Sequence, residues 1–195
     1  MTVTSSRRPV IPPGTPRRDA ILKVASRLLR ERELDVSLQD IADELGVTYN
    51  ALYNHFKNRD DLLYLCLLRH EVMLFDCLAK CHDRGGTGLL QIMSFLREFI
   101  DLSIREGLPP PRLTVALSHD AQVAMLRHAR PSRSLMATIF EQGLHDGSIA
   151  ISDPEITIHW ILHTIYWWPD ELKRRRAFND VRDTILDRIE RAIRA

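Results

Sequence analysis

Residues 38–63 read LQDIADELGVTYNALYNHFKNRDDLL. Ile41, Leu45, Val47, Leu52 and Phe56 are the apolar residues able to bury around the turn, and they form two very short helical patterns on either side of Gly46. A small residue at Ala42 lets a second helix cross closely. Gly46, four residues later, can take the positive φ that a sharp turn between helices needs. The spacing therefore predicts a helix-turn-helix whose second helix presents Thr48, Tyr49, Asn50, Tyr53, Asn54 and His55. This set suits a DNA major groove, where asparagine can bond adenine and hydroxyls can reach bases or phosphates, with Lys57 and Arg59 at the rim. A plain helical corner would share the Ala-x-x-x-Gly spacing without calling for that exposed set.

Outward from this stretch, the chain reads almost wholly as helix. Ile21, Ala25, Leu28, Leu29 and Arg32 build one face of a first helix, widened by Leu22. Ser37, three residues before Asp40, resembles a capping box in which Asp replaces the usual Glu or Gln, so a second helix should start there. A long apolar pattern runs from about Asn58 to DRGGTG at 83–88, and another from Leu89 to Ile104 ends at EGLPPP. Pro131 is expected to divide the next helical stretch in two. Asp153 followed by Pro154 opens a helix expected to end at Trp168, before Pro169, and a last helix spans roughly Arg176 to Arg194. No alternating β pattern of convincing length appears. The fold class is all-α.

Composition is that of a soluble globular protein, 45% hydrophobic and 27% charged over 195 residues. No apolar run approaches the ~20 residues a membrane span requires, and the N-terminus lacks the apolar core of a signal peptide, so a cytoplasmic protein with no membrane partner is expected. A net charge of +1 by itself argues against a nucleic-acid partner. The basic character is local, however: Arg7, Arg8, Arg17 and Arg18 crowd the start, and Lys57 and Arg59 follow the helix-turn-helix. Cys66, Cys77 and Cys81 are too few for a disulfide framework and are expected as free thiols.

The span from Arg17 to about Leu63 resembles the DNA-binding domain of the tetracycline-repressor (TetR) family, carried by ILKVASRLL at 21–29 and by SLQDIADELGVTYNALYNHFKNRDDLL at 37–63. Residues 1–16 mix Ser, Thr, Arg and four prolines without apolar periodicity and read as a flexible basic arm; the resemblance implies a three-helix helix-turn-helix DNA-binding domain at 17–62 and a helical ligand-binding and dimerisation domain at 63–195. It implies a homodimeric transcriptional regulator, usually a repressor in this family, that reads double-stranded DNA at a palindromic operator and is released by a small apolar or amphipathic effector. Carried over by position, Tyr49, Asn50 and Ala51 lie where the family reads bases, and Tyr53 and His55 where it grips phosphates. Thr48 starts the recognition helix, and Ser37 and Leu38 open the supporting helix, whose N–H groups can face a phosphate. Lys57 and Arg59 complete the DNA-binding set. Two departures stand out: Arg59 replaces a frequent lysine, and the glycine frequent before the second helix is missing from RERELDVS at 30–37. The family's dimer seam falls on the last two helices, those from Pro154 and Arg176.

A sensor domain needs an apolar cavity with a few orienting polar groups. Phe95, Phe99, Met125, Phe140, Trp160, His163 and Trp167 are the candidate ligand contacts, in competition with a role as core or seam filling. Cys66, His70, Cys77 and Cys81, at offsets 0, 4, 11 and 15, share one helix face. Cys66 and Cys81 are nevertheless roughly 22 Å apart along the axis, too far for one tetrahedral metal site. A smaller site from Cys77, Cys81 and His82 stays open, but no metal site is assigned. His159 and His163 lack the glutamate of a zinc-protease motif, and no phosphate-cradling glycine loop or catalytic triad is recognisable, so neither a cofactor nor an enzyme activity is expected. The alternative from another class is a helical small-molecule-binding or interaction protein without operator binding.

Overall fold

The computed structural model describes residues 16–172 and 178–195, with backbone alone at 16, 166–172, 178 and 179. Among the described residues eight α-helices follow in order: α1 (Pro16–Arg32), α2 (Leu38–Leu45), α3 (Tyr49–Tyr53), α4 (Arg59–Asp83), α5 (Gly88–Arg105), α6 (His119–His145), α7 (Pro154–Leu172) and α8 (Phe178–Ile193). Short 3-10 turns lie at Glu33–Asp35 and Pro111–Ala116. Among the described residues the one β feature is an isolated bridge between Ile149 and Arg194, so the fold is all-α. No described helix is long and apolar enough to cross a membrane. Of the arm expected at 1–16, residues 1–15 lie outside the described residues, and Pro16 opens α1.

Local chemistry explains where the helices begin. The Ser37 hydroxyl accepts from the Asp40 N–H at 3.1 Å, and the Asp40 carboxylate accepts from the Ser37 N–H at 2.8 Å, so the shortened box closes both ways. Asn58 caps α4 through Oδ1, which accepts from the Asp61 N–H at 2.8 Å. Asp153 caps α7 in the same way, accepting from the Ile156 N–H at 2.9 Å, with Pro154 in the first helical position.

Two helices continue where a break was expected. Pro131 lies inside α6, which runs unbroken from His119 to His145. Proline removes one backbone donor and its ring crowds the carbonyl four residues back, but Pro131 and Ser132 are both buried, and that packing holds the helix together. Likewise α7 passes through Pro169 to end at Leu172.

Contacts group the chain into two units. In the first, which holds the described chain up to Met73 together with Ser103–Ala129, Ile21, Leu22, Ala25, Leu28 and Leu29 of α1 pack with Ile41, Ala42, Leu52, Phe56, Leu62 and Leu63. Each fully buried Leu or Phe contributes about 1.5–3 kcal/mol by leaving water. The connector before α6 is pinned to the same unit: Arg30 donates to the Leu108 carbonyl at 3.0 Å, Arg69 pairs with Glu106 at 2.8 Å, and Arg112 reaches Glu33 at 2.5 Å. Glu33 has φ 54, so within the loop that lacks the family's frequent glycine a glutamate takes the left-handed conformation.

The second unit holds the described residues of Leu74–Leu102 and Arg130–Ala195. Phe95 and Phe99 stack at 5.6 Å between ring centroids, and with Ile92, Leu96, Met136, Ile139 and Phe140 they are buried in its core. A Cβ at Gly88 would lie 2.4 Å from the Gly143 Cα, so two glycines let α5 start against α6. Asp146 and Ser148 accept from the N–H groups of Gly88 and Leu89 at 2.9 and 3.1 Å and cap that start. Arg182 and Arg97 join α5 to α8 through Arg182–Asp101 at 2.7 Å and Arg97–Asp183 at 3.3 Å.

Candidate nucleic-acid interface

The turn between α2 and α3 is made by Gly46, at φ 61 and ψ 35, whose N–H points back to the Ala42 and Asp43 carbonyls. Val47 follows with an N–H bond to the Ala42 carbonyl at 3.0 Å. Ala42 is 0% exposed, as the close crossing requires. The five residues of α3 are then divided by their contacts. Leu52 turns inward and is buried together with Phe56 just after it, while Thr48, Tyr49, Asn50, Tyr53 and Asn54 are exposed and Ala51 and His55 half-buried. Burial of Leu52 and Phe56 fixes the rotation of so short a helix, which isolated in water would not hold.

Tyr49 and Tyr53, one turn apart, meet edge to face at 5.2 Å, and their hydroxyls lie 2.9 Å from each other. The hydrogen bond with Tyr49 raises the Tyr53 phenol above its ordinary pKa, which keeps it protonated near neutral pH. When one hydroxyl donates to the other, the pair keeps one O–H to offer outward.

At the start of α2, Ser37 is exposed and Leu38 half-buried. The hydrogen bonds from Ser37 hold the Asp40 carboxyl below its ordinary range, so the cap is charged at neutral pH. The Leu38 and Gln39 N–H groups lie in the first turn, where no intrahelical acceptor exists for them.

Lys57 is exposed, its backbone N–H bonded to Asp61 at 3.0 Å. Arg59 is also exposed, but its guanidinium donates to the Leu34 carbonyl at 3.1 Å and to that of Val36 at 3.4 Å. It thus holds the loop in front of α2, a task no local signal in the sequence betrays. Arg18 adds a cation–π contact over the Phe56 ring at 5.8 Å. The ten residues from Ser37 to Arg59 expected in contact with DNA lie on one segment within the first unit.

The expected ligand residues are not brought together in the same way. Phe95, Phe99 and Phe140 are 0–2% exposed and fill the core of the second unit. Met125 belongs to the core cluster of the first. Trp160 is 45% exposed and His163 is exposed on α7, while the side chain of Trp167 lies outside the described residues. An open cleft of about 600 Å³ runs along α6 and the start of α7, lined by Arg133, Ser134, Glu141, Asp153, His159 and Leu162 among others. None of the six expected residues with described side chains lines it. Hydropathy had no means of separating a residue that lines a cavity from one that fills a core.

Residues 21–64 match the family of bacterial regulatory proteins, tetR family. A solved structure of a TetR/AcrR family transcriptional regulator from Thermobifida fusca YX-ER1 is 25% identical, over 90% of this chain and 97% of that one, with a TM-score of 0.67. A TetR family regulator from Agrobacterium tumefaciens is 16% identical over 92% and 98% of the two chains, at a TM-score of 0.73. AibR, solved in complex with isovaleryl coenzyme A and operator DNA, is 18% identical over 89% and 97%, at 0.70. Among curated proteins none matches the sequence significantly. Residues 21–64 thus carry the DNA-binding region of the tetR family, and the coarse reading of the chain is a transcriptional regulator with a helix-turn-helix DNA-binding domain.

Proposed function

We propose that this regulator is a repressor that binds a palindromic operator as a homodimer and leaves it when a small apolar or amphipathic effector binds. The observation that carries the reading is the division of α3: Leu52 is buried, and Tyr49, Asn50 and Tyr53 face solvent together. In this reading residues 17–62 read DNA and residues 63–195 dimerise and sense. Tyr49, Asn50 and Ala51 meet base edges, with the Asn50 amide able to bond an adenine. Thr48, Tyr53, His55 and Lys57 hold phosphates, as do the first-turn N–H groups of Leu38 and Gln39, in the helix start that Ser37 caps. Arg59 adds a positive charge at the rim while it fastens the loop before α2.

One recognition helix of this length touches few base pairs, so strong discrimination needs two of them on a two-fold axis. The dimer seam is assigned to α7 and α8, and exposed Ile156 and Trp160 on α7 are apolar surface that a partner helix would cover. The complex of AibR with both a coenzyme A ester and operator DNA supports an effector of amphipathic character. Release follows if the effector binds better to a conformation in which the two recognition helices have the wrong separation.

The test is to select the purified full-length protein against randomised duplex DNA near physiological salt and to sequence what it retains. Two inverted half-sites about 10–10.5 base pairs apart, centre to centre, are expected. Retention of no sequence above background would favour the helical binding protein without an operator.

A further inference from the structure

We propose that Cys77, Cys81 and Glu98 form a zinc-binding site joining α4 to α5. The two cysteines stand one turn apart on α4, and Glu98 comes across from α5, so that two sulfurs and a carboxylate oxygen lie within 4.8 Å of one another. Among the described residues this is the single such cluster of His, Cys, Asp or Glu donors. All three residues belong to the second unit.

The geometry is close to what zinc needs. With Zn–S near ~2.3 Å and Zn–O near ~2.0–2.2 Å, tetrahedral donors sit roughly 3.5–3.8 Å apart. Contraction by about 1 Å lies within the reach of side-chain rotation at Glu98 and the cysteines on a fixed backbone. Cys77 and Cys81 are 7% and 1% exposed, whereas Glu98 is partly exposed, so the ion enters from the carboxylate side and a water takes the fourth position.

Charge selects the ion. Binding releases the two thiol protons to solvent and leaves two thiolates and one carboxylate, three negative charges. Zn²⁺ supplies two positive charges and the Arg84 guanidinium, already paired with Glu98, supplies the third. The site is then neutral, where a monovalent ion would leave a negative charge in a largely buried place. A carboxylate ligand also suits zinc better than monovalent copper. Arg84 donates to both oxygens of the carboxylate and so orients it, leaving the remaining lone pairs for the ion, as outer partners of metal ligands do. Cys66, His70 and His82, considered from the sequence, are not in the cluster. The Cys66 thiol is turned to the Leu22 carbonyl at 3.8 Å, and His82 Nδ1 is bonded to Gln91 at 2.8 Å.

The test uses the full chain, reduced and freed of metal by a chelator. Titration with Co²⁺ should give one ion per chain and the near-ultraviolet absorption of cobalt–thiolate bonds, which Zn²⁺ then displaces. Zn²⁺ should also raise the midpoint of thermal unfolding, since it binds the folded form. Cys77→Ser or Cys81→Ser should weaken binding by at least roughly 100-fold and Glu98→Gln by roughly 10-fold, while Cys66→Ser leaves it unchanged. A wild-type protein that shows no thiolate absorption with stoichiometric Co²⁺ overturns the proposal, and this result depends on no variant folding. So does absorption that survives in the Cys77→Ser, Cys81→Ser double variant.

Discussion

The carboxylate of Asp60, in the first turn of α4, accepts both hydrogen bonds that Ser118 can donate: its N–H at 3.1 Å and its hydroxyl at 2.8 Å. Ser118 is the residue whose carbonyl accepts the first bond of α6, from the Gln122 N–H at 2.9 Å. A side chain 58 residues earlier thus serves as part of the cap of α6. Asp60→Ala is expected to cost about 1–2 kcal/mol and Ser118→Ala about half as much, read from urea unfolding of the full chain. Equal stability of Asp60→Ala and the wild type would show the contact to be incidental.

The turn at Gly46 has room for a side chain but not the backbone conformation for one. Nothing lies within 4 Å of a Cβ built there, and φ is +61. Gly46→Ala should therefore lose about 1–2 kcal/mol through conformational strain alone, and Gly46→Asn less, because asparagine tolerates this region. If alanine proved harmless, the left-handed turn would not be the conformation in solution.

Acid should weaken the protein in a defined window. His70 is 4% exposed on α4, and burial, with the Arg30 charge adding to it, pushes its imidazole down to about 3. The unfolded chain takes up this proton near pH 6.5 and the folded one does not, so the stability it contributes is present above pH 6.5 and is lost as pH falls towards 3. The slope approaches about 1.4 kcal/mol per pH unit for this one group. His128, lowered by burial as well, adds in the same direction. In His70→Gln the fall in unfolding free energy between pH 6.5 and 4 should be visibly shallower; an unchanged slope would mean that His70 is protonated in the folded state.

Lys57 and Tyr53 should separate charge from hydrogen bonding at the phosphates. Lys57→Ala is expected to weaken every duplex alike and to reduce the slope of log affinity against log salt by about 1. Tyr53→Phe removes an uncharged donor, so affinity should fall by about three- to tenfold while the salt slope stays as it was. Filter-binding titrations at several salt concentrations distinguish the two. A change of slope in Tyr53→Phe and none in Lys57→Ala would reverse the assignment.

How much of this could be read in advance depended on how local the physics was. The turn at Gly46, the Ser37–Asp40 box and the Asp153–Pro154 start are settled within four residues, and the sequence displays them. Pro131 was misleading because its cost is local while the packing that holds α6 together is not. Arg59 with Leu34, Asp60 with Ser118 and Glu98 with the two cysteines are pairings across 17 to 58 residues, and no spacing rule foretells them. The candidate ligand residues met a different limit. Phe95, Phe99 and Phe140 are as apolar as a pocket lining would be, and only the folded chain places them in a core.

Base reading by α3 is tested at Asn50. Wild-type protein and Asn50→Ala are selected in parallel against the same randomised duplex pool and the retained sequences compared. A two-fold symmetric site is expected for the wild type, with the variant losing preference at one adenine-containing position in each half-site and keeping the rest. An identical consensus from both proteins would contradict base reading by α3.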